Sequence, residues 1–348
     1  MNSEETKLAT LKKPESWLWH LLGFVIPGLT LLGNSLGSFW VSGGVVTALF
    51  IFPLIENLIG VDKNKREIRQ NGRPFEIILM IHALLMIPII ISICYRGMID
   101  GNSWTTWIAI ISTGITTGIS GIIVAHELGH KKRYSIRWYI GRFLLFLSLY
   151  AHFTTEHNYT HHRYVGTVND PATARKGLGF WSHLVQTIPK QFLSAWTIHA
   201  NQASSLLKNT LLKDIILEIL LCIGIYSIGG TWALIAFLGQ AFFSIYLLEY
   251  INYIRHYGLQ RNVDEAETEM HSWQTQMRLS RWTLLELCLH PAHHMKATVP
   301  FWQLQAYDDV NEYTTGYYGL FWPCMIPFIW KPWINPLIKS KTKSMAQS

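Results

Sequence analysis

Apolar residues dominate four runs in the first part of the chain, over residues 17–32, 38–60, 74–95 and 104–125. The last three are long enough to cross a hydrocarbon core of roughly 30 Å as helices rising about 1.5 Å per residue. The first is slightly short and is read as a span too; no small-residue cleavage site follows it, so an uncleaved anchor is expected rather than a signal peptide. A second hairpin is predicted over 211–228 and 231–248, with Gly229 and Gly230 at its turn and Lys213, Asp214 and Glu218 in its first turns. Between these blocks, residues 138–153 form a shorter apolar stretch interrupted by Gly141 and Arg142, read as a re-entrant or interfacial helix. Polar sequence then runs to about residue 210. A last apolar stretch, 316–334, contains Pro323, Pro327 and Pro332, which argue against a seventh straight helix.

The loops orient these runs. Residues 33–37 carry no charge and 96–103 carry one of each sign, whereas 61–73 hold Lys63, Lys65, Arg66, Arg69 and Arg73. Lys131, Lys132, Arg133 and Arg137 follow the fourth run, and Lys7, Lys12 and Lys13 precede the first. The positive-inside rule places the N-terminus, 61–73 and everything just after residue 125 in the cytoplasm, and six crossings return the C-terminus there. The fold predicted is an all-α integral membrane protein, a six-transmembrane-helix bundle in one domain over 1–348. Its cytoplasmic cap is made of 126–210 and 251–348.

Composition agrees with this picture. Hydrophobic residues make up 49% and charged residues 15%, and 15 Trp with 15 Tyr suit a lipid–water interface. The net charge of +7 is spread between apolar runs, so it reads as membrane orientation and not as a nucleic-acid surface. Four scattered cysteines form no CxxC pair, which argues against a disulfide framework or cysteine zinc ribbon. Gly114 and Gly118 make a small-xxx-small pattern that predicts close helix packing in the fourth run.

Histidine changes the picture most. Of 15, nine fall into four groups: His126 and His130; His157, His161 and His162; His256; and His290, His293 and His294. Residues i and i+4 share one helix face, so His126 and His130 can reach one metal. The first group also has the HExxH pattern of zinc proteases, with Glu127 as a general base, but the surplus of histidines disfavours that reading. Lone histidines near a membrane surface are usually hydrogen-bonded structural residues, and His20, His82, His183 and His199 are read that way. The clustered ones all fall on the predicted cytoplasmic side, which argues for metal binding. Nine imidazoles exceed the ligand set of a single ion, so two metals are indicated. Imidazole suits Zn, Cu, Fe and Ni alike and does not choose among them.

The segments around these groups resemble the membrane-bound alkane 1-monooxygenase family within the wider fatty-acid-desaturase-like superfamily. The resemblance rests on HELGHKK at 126–132, EHNYTHH at 156–162, DPATAR at 170–175, NYIRHYGL at 252–259 and HSW at 271–273, with PLIENLIGVD at 53–62 and residues 316–327 flanking them. It spans residues 17–333, and the HYG element is its most specific part. It implies a non-haem centre of two iron ions held by His126, His130, His157, His161, His162, His256, His290, His293 and His294. Glu127, Glu156, Asp170 and His271 match motif positions and are expected to orient ligand rings through their other nitrogen; His152 also matches and is left as orienting or structural. The chain departs from the family at Arg255, where an acidic residue is usual, and in the fourth group, where QRHSDHH is replaced by Cys288-Leu289-His290-Pro291-Ala292-His293-His294.

What the resemblance implies is an oxidoreductase using O₂ and electrons from a separate rubredoxin or ferredoxin with its reductase. It would hydroxylate the terminal methyl of an alkane or similar chain drawn from the lipid phase, at an inner membrane if the source is bacterial. The absence of a CxxC pair means no fused rubredoxin, and the basic residues at 131–137 are candidates for steering an acidic donor. A lipid desaturase or hydroxylase is the nearest rival, and a membrane metal-binding or transport protein is a more distant one. The acidic run 264–269 is expected to be a solvated loop.

Overall fold

A computed structural model describes residues 11–338; residues 1–10 and 339–348, and with them both termini read as cytoplasmic, lie outside the described residues. Four helices among the described residues are long and apolar enough to cross a membrane: α1 (Trp17–Leu36), α2 (Ser38–Ile59), α3 (Arg73–Asp100) and α4 (Trp104–Gly129). Helix α1 opens with the Ser16 hydroxyl accepting a hydrogen bond from the Leu18 amide at 3.3 Å. It continues to Leu36 and reverses at Gly37, whose φ of 72° lies where a Cβ is penalised. The uncharged turn predicted over 33–37 therefore contracts to one glycine. Apolar side chains remain exposed around these rods, Leu58 at 85% and Leu84 at 68%, which suits a lipid surround. Helix α4 differs: 78% of its span is enclosed, against 28% for α2, so α4 is the axis on which the rest is built.

Beyond α4 come α5 (Ile136–Leu147), α6 (residues 153–164), α7 (Phe180–Gln202) and α8 (Thr210–His256). Helix α7, 23 residues long, occupies sequence expected to be merely polar cap. Helix α8 doubles back at Gly230, with φ 72°. Glu218 of its first arm accepts from the Ala151 amide at 3.1 Å, and Gln240 of its second arm donates to the Leu147 carbonyl at 3.2 Å, so the arms run antiparallel beside the same end of α5. The predicted hairpin turn is thus present at Gly230. The six expected crossings resolve into four helices that meet the length and hydropathy required of a span, plus this folded element.

Close backbone approach binds the second arm to its neighbours. A Cβ at Gly97 would lie 2.4 Å from the Trp232 carbonyl oxygen, and one at Gly114 would lie 2.6 Å from Cβ of Phe243. The small-residue pattern works mainly through Gly114, since Gly118 meets Leu247 only at an ordinary 3.6 Å. After α8 the chain forms α9 (Arg278–Thr283), α10 (His290–Met295), α11 (Tyr317–Met325) and α12 (Pro327–Ile334), with a two-residue parallel pair, β1 (Trp273–Gln274) and β2 (Asn311–Glu312). Extended Ile326 separates α11 from α12, as the prolines predict.

This last region packs against the 61–73 loop. The Asp62 amide donates to the Gln276 carbonyl at 3.1 Å, and the Lys12 amide to the Lys65 carbonyl at 3.0 Å. At the centre of the contact, buried Glu286 lies 2.7 Å from Nε of Arg281 and 3.3 Å from both Arg69 and His20. The basic loop, the start of α1 and the cap therefore share one end of the bundle. His20 meets Glu286, His82 bonds the Ser120 hydroxyl at 2.8 Å and His199 the Thr155 hydroxyl at 2.9 Å, the structural roles expected of lone histidines.

Candidate metal centre

The site forms where α4 ends, α6 crosses it, and α8 and α10 close over it. Residues 117–123 of α4 and 157–161 of α6 are wound as π-helix, with a wider turn than the α-helix around them. On α6 this widening puts residues five apart on one side, and Nε2 of His157 and His162 come within 3.0 Å. The His161 ring stacks on that of His157 at 5.2 Å but offers its nitrogen to the other group. The Asn158 side-chain Nδ2 donates to the Gly129 carbonyl at 3.0 Å and pins α6 against the end of α4.

All nine clustered histidines converge, in two adjoining groups. His126, His130, His157, His162 and His293 make one; His161, His256, His290 and His294 make the other. Within each, one ring nitrogen per residue lies within 4.8 Å of all the others. Nitrogens about 2.1 Å from one ion can be no more than about 4.2 Å apart, and pairs such as His157 with His162 at 3.0 Å and His162 with His293 at 3.2 Å have the spacing of adjacent ligands on one metal. The groups touch where the His162 and His294 rings stack at 4.5 Å.

Burial pushes the pKa of His157, His162, His256, His290, His293 and His294 well below that of free imidazole, and neighbouring rings or charges add to the effect. These rings are neutral at pH 7, the form that offers a lone pair to a metal. Nε2 of His126, His130 and His294 is buried without a hydrogen-bond partner among the described residues. Buried polar atoms are ordinarily satisfied, so unpartnered ring nitrogens in both groups fit a role as cation ligands.

The surrounding shell divides the expected orienting residues. Asp170 Oδ2 lies 2.9 Å from Nδ1 of His161 and accepts from the Thr173 hydroxyl at 2.6 Å, which aims Nε2 of His161 inward. Burial works to raise the Asp170 pKa, but His161 and Thr173 outweigh it and keep the carboxylate charged. His271 acts through its backbone: its carbonyl accepts from Nδ1 of His256 at 3.1 Å, while its own Nδ1 accepts from the Thr268 amide at 2.9 Å. Glu127 pairs with Lys131 at 2.7 Å. Glu156 is buried beside Asp170 and Glu249; burial and these like charges raise its pKa well above the ordinary carboxylate value.

Glu267 was missed. Its carboxylate lies 2.9 Å from Nδ1 of His294, so part of the run 264–269 lines the centre and is not a free solvated loop. Nothing in the local pattern distinguishes it from Asp264, Glu265 or Glu269; only the path of the loop over α10 does.

Beside the first group lies an apolar cavity of about 90 Å³ between α2, α4, α8 and α11. Ala48, Leu49 and Ile115 line its far part, and His126 and Arg255 also form part of its wall. Such a chamber suits a hydrophobic ligand led to the imidazoles.

Comparison with known proteins agrees with this architecture. The sequence model of the fatty acid desaturase family matches residues 102–324, a region holding all nine clustered histidines. Helices of membrane-spanning length, histidine clusters able to hold metal and relatives named as monooxygenases together place the chain among membrane monooxygenases. The chain belongs to the alkane 1-monooxygenase family: it is 30% identical to alkane 1-monooxygenase 1 of Pseudomonas aeruginosa, over 97% of this chain and 94% of that protein. Alkane 1-monooxygenase 1 of Alcanivorax borkumensis is 28% identical over 96% of this chain and 86% of its own length. Alkane 1-monooxygenase of Acinetobacter baylyi is 29% identical over 88% and 79%.

Proposed function

We propose that this protein is a non-haem di-iron monooxygenase that converts the terminal methyl of an alkane or similar hydrophobic chain to a primary alcohol. The observation that carries the reading is the convergence of nine imidazoles in two adjoining groups beside an apolar cavity. The names of its relatives support alkane as the substrate class. His126, His130, His157, His162 and His293 would hold one iron, and His161, His256, His290 and His294 the other. Activation of O₂ for insertion of one oxygen atom into a C–H bond is the chemistry that reduced iron supplies when bound.

The protein's own residues do the positioning. Asp170, the His271 carbonyl and Glu267 orient His161, His256 and His294. The cavity walls exclude water and hold a linear chain with one end toward His126. The six-span topology, with the centre and both termini in the cytoplasm, is part of the proposal and is supported by the basic loops gathered at the cap end. Electrons come from a separate rubredoxin or ferredoxin with its reductase, since no cysteine pair in the chain could hold such a centre. Expression with a generic rubredoxin and reductase, followed by chromatography of products from an alkane mixture, tests the reading. Primary alcohols are expected. Alkenes from an acyl lipid would replace it with a desaturase, and metal binding without O₂ uptake would replace it with a binding or transport protein.

A further inference from the structure

Arg255 sits in the wall of the cavity and is only 3% exposed. Its guanidinium lies over the Tyr317 ring at 5.9 Å, and no carboxylate among the described residues forms an ion pair with it. Its Nε and Nη2 are buried without hydrogen-bond partners among the described residues. Those two nitrogens form one edge of the guanidinium, and that edge presents two parallel N–H donors spaced to match the oxygens of a carboxylate. A buried, unpaired cation is costly, and its cost is ordinarily relieved by an anion.

The neighbourhood intensifies the demand. Arg255 precedes His256 in the chain and shares the cavity with His126. The nine neutral imidazoles bring no negative charge of their own, and the carboxylates of Asp170 and Glu267 face His161 and His294 and not Arg255, so cations held at the centre add to the field of Arg255. The resemblance to the family leads one to expect an acidic side chain at this position; here the chain supplies the opposite charge.

We infer that Arg255 and the adjoining cavity wall form a carboxylate-binding site next to the metal centre. The carboxylate comes either from a small free acid or from the head of an acyl chain lying in the cavity. The inference rests on the proposed function only for the sign of the field from the metal positions; the unpartnered guanidinium edge stands without it.

The test uses the full-length protein in lipid nanodiscs and follows thermal unfolding by tryptophan fluorescence. Sodium acetate, sodium dodecanoate, dodecane and sodium chloride are compared at matched ionic strength. A saturating carboxylate is expected to raise the unfolding temperature by about 3 °C or more over chloride. R255M should abolish that rise and, having lost an unpaired buried charge, should unfold at a higher temperature without acid. R255K, a point charge without the two-pronged edge, should bind about tenfold more weakly. A response to both acids identifies a site open to free carboxylates; a response to dodecanoate alone identifies the acyl head. Chloride matching acetate and dodecanoate, or R255M keeping the shift, overturns the inference. Were R255M not to fold, the acetate–chloride contrast in the natural protein and R255K still decide it. Product analysis with dodecane is read separately. Dodecanol with no acid effect sinks the carboxylate site alone, whereas an acid effect without any oxygenated product sinks the proposed function alone.

Discussion

His157 and His162 face each other, Nε2 to Nε2, at 3.0 Å, although they are five residues apart on one helical segment. The π-wound turn of α6 makes this possible and sends His161, between them in register, to the other imidazole group. One short helix thereby serves two metal positions. Helix α10 does the same by α-helical geometry, with His290 and His294 in one group and His293 in the other.

Alanine at His157 or His293 removes a ring from the five-membered group. Product formation should fall below detection, and iron measured on the purified protein by elemental analysis should drop. Full activity with full iron in either variant would refute the ligand assignment.

Asp170→Asn and Glu267→Gln act on rings without touching the metal positions. Loss of an orienting partner typically weakens metal affinity by about 10–100-fold. Chelator titrations should therefore show earlier metal release in each variant with the helical content unchanged. Glu127→Gln, whose parent carboxylate pairs with Lys131, should release metal much like the natural protein.

Glu286→Gln should destabilise the junction of cap and bundle by up to about 3–5 kcal/mol, because it leaves buried Arg281 with only Glu15, 3.7 Å away, as counter-charge. Burial tends to raise the Glu286 pKa, but Arg281, His20 and Arg69 bring it well below its ordinary value of 4.5. Its contribution is therefore complete above that ordinary value and is lost only as pH falls toward the lower folded value. Thermal unfolding between about pH 5.5 and 8 should accordingly leave this contribution nearly constant; a steep loss near pH 6 traced to Glu286 would contradict the pairing.

Gly97→Ala places a methyl 2.4 Å from the Trp232 carbonyl oxygen, backbone that cannot rotate away. Overpacking of this kind costs about 1–3 kcal/mol, readable as a lower unfolding temperature. Gly224→Ala, where nothing lies within 4 Å, is the control and should be neutral or stabilising.

Periodicity and composition along the chain were enough to specify four membrane-length helices, the Gly230 reversal, the broken stretch 316–334 and the identity of the nine rings that converge. Each depends on local properties: apolar length, a glycine in the left-handed region, prolines, and histidines at helical spacing. The partition of those rings into two groups was not legible, because the π turn at 157–161 changes which residues share a face without any mark in composition. Glu267 and the Lys131 pairing of Glu127 were hidden for a related reason. A carboxylate's partner is set by where distant segments meet, and the loop 264–269 reaches His294 only once α8 and α10 are packed. Arg255 shows both limits at once: its departure from the family could be read residue by residue, but its unpaired burial in the cavity wall arises only when α4, α8 and α11 enclose it.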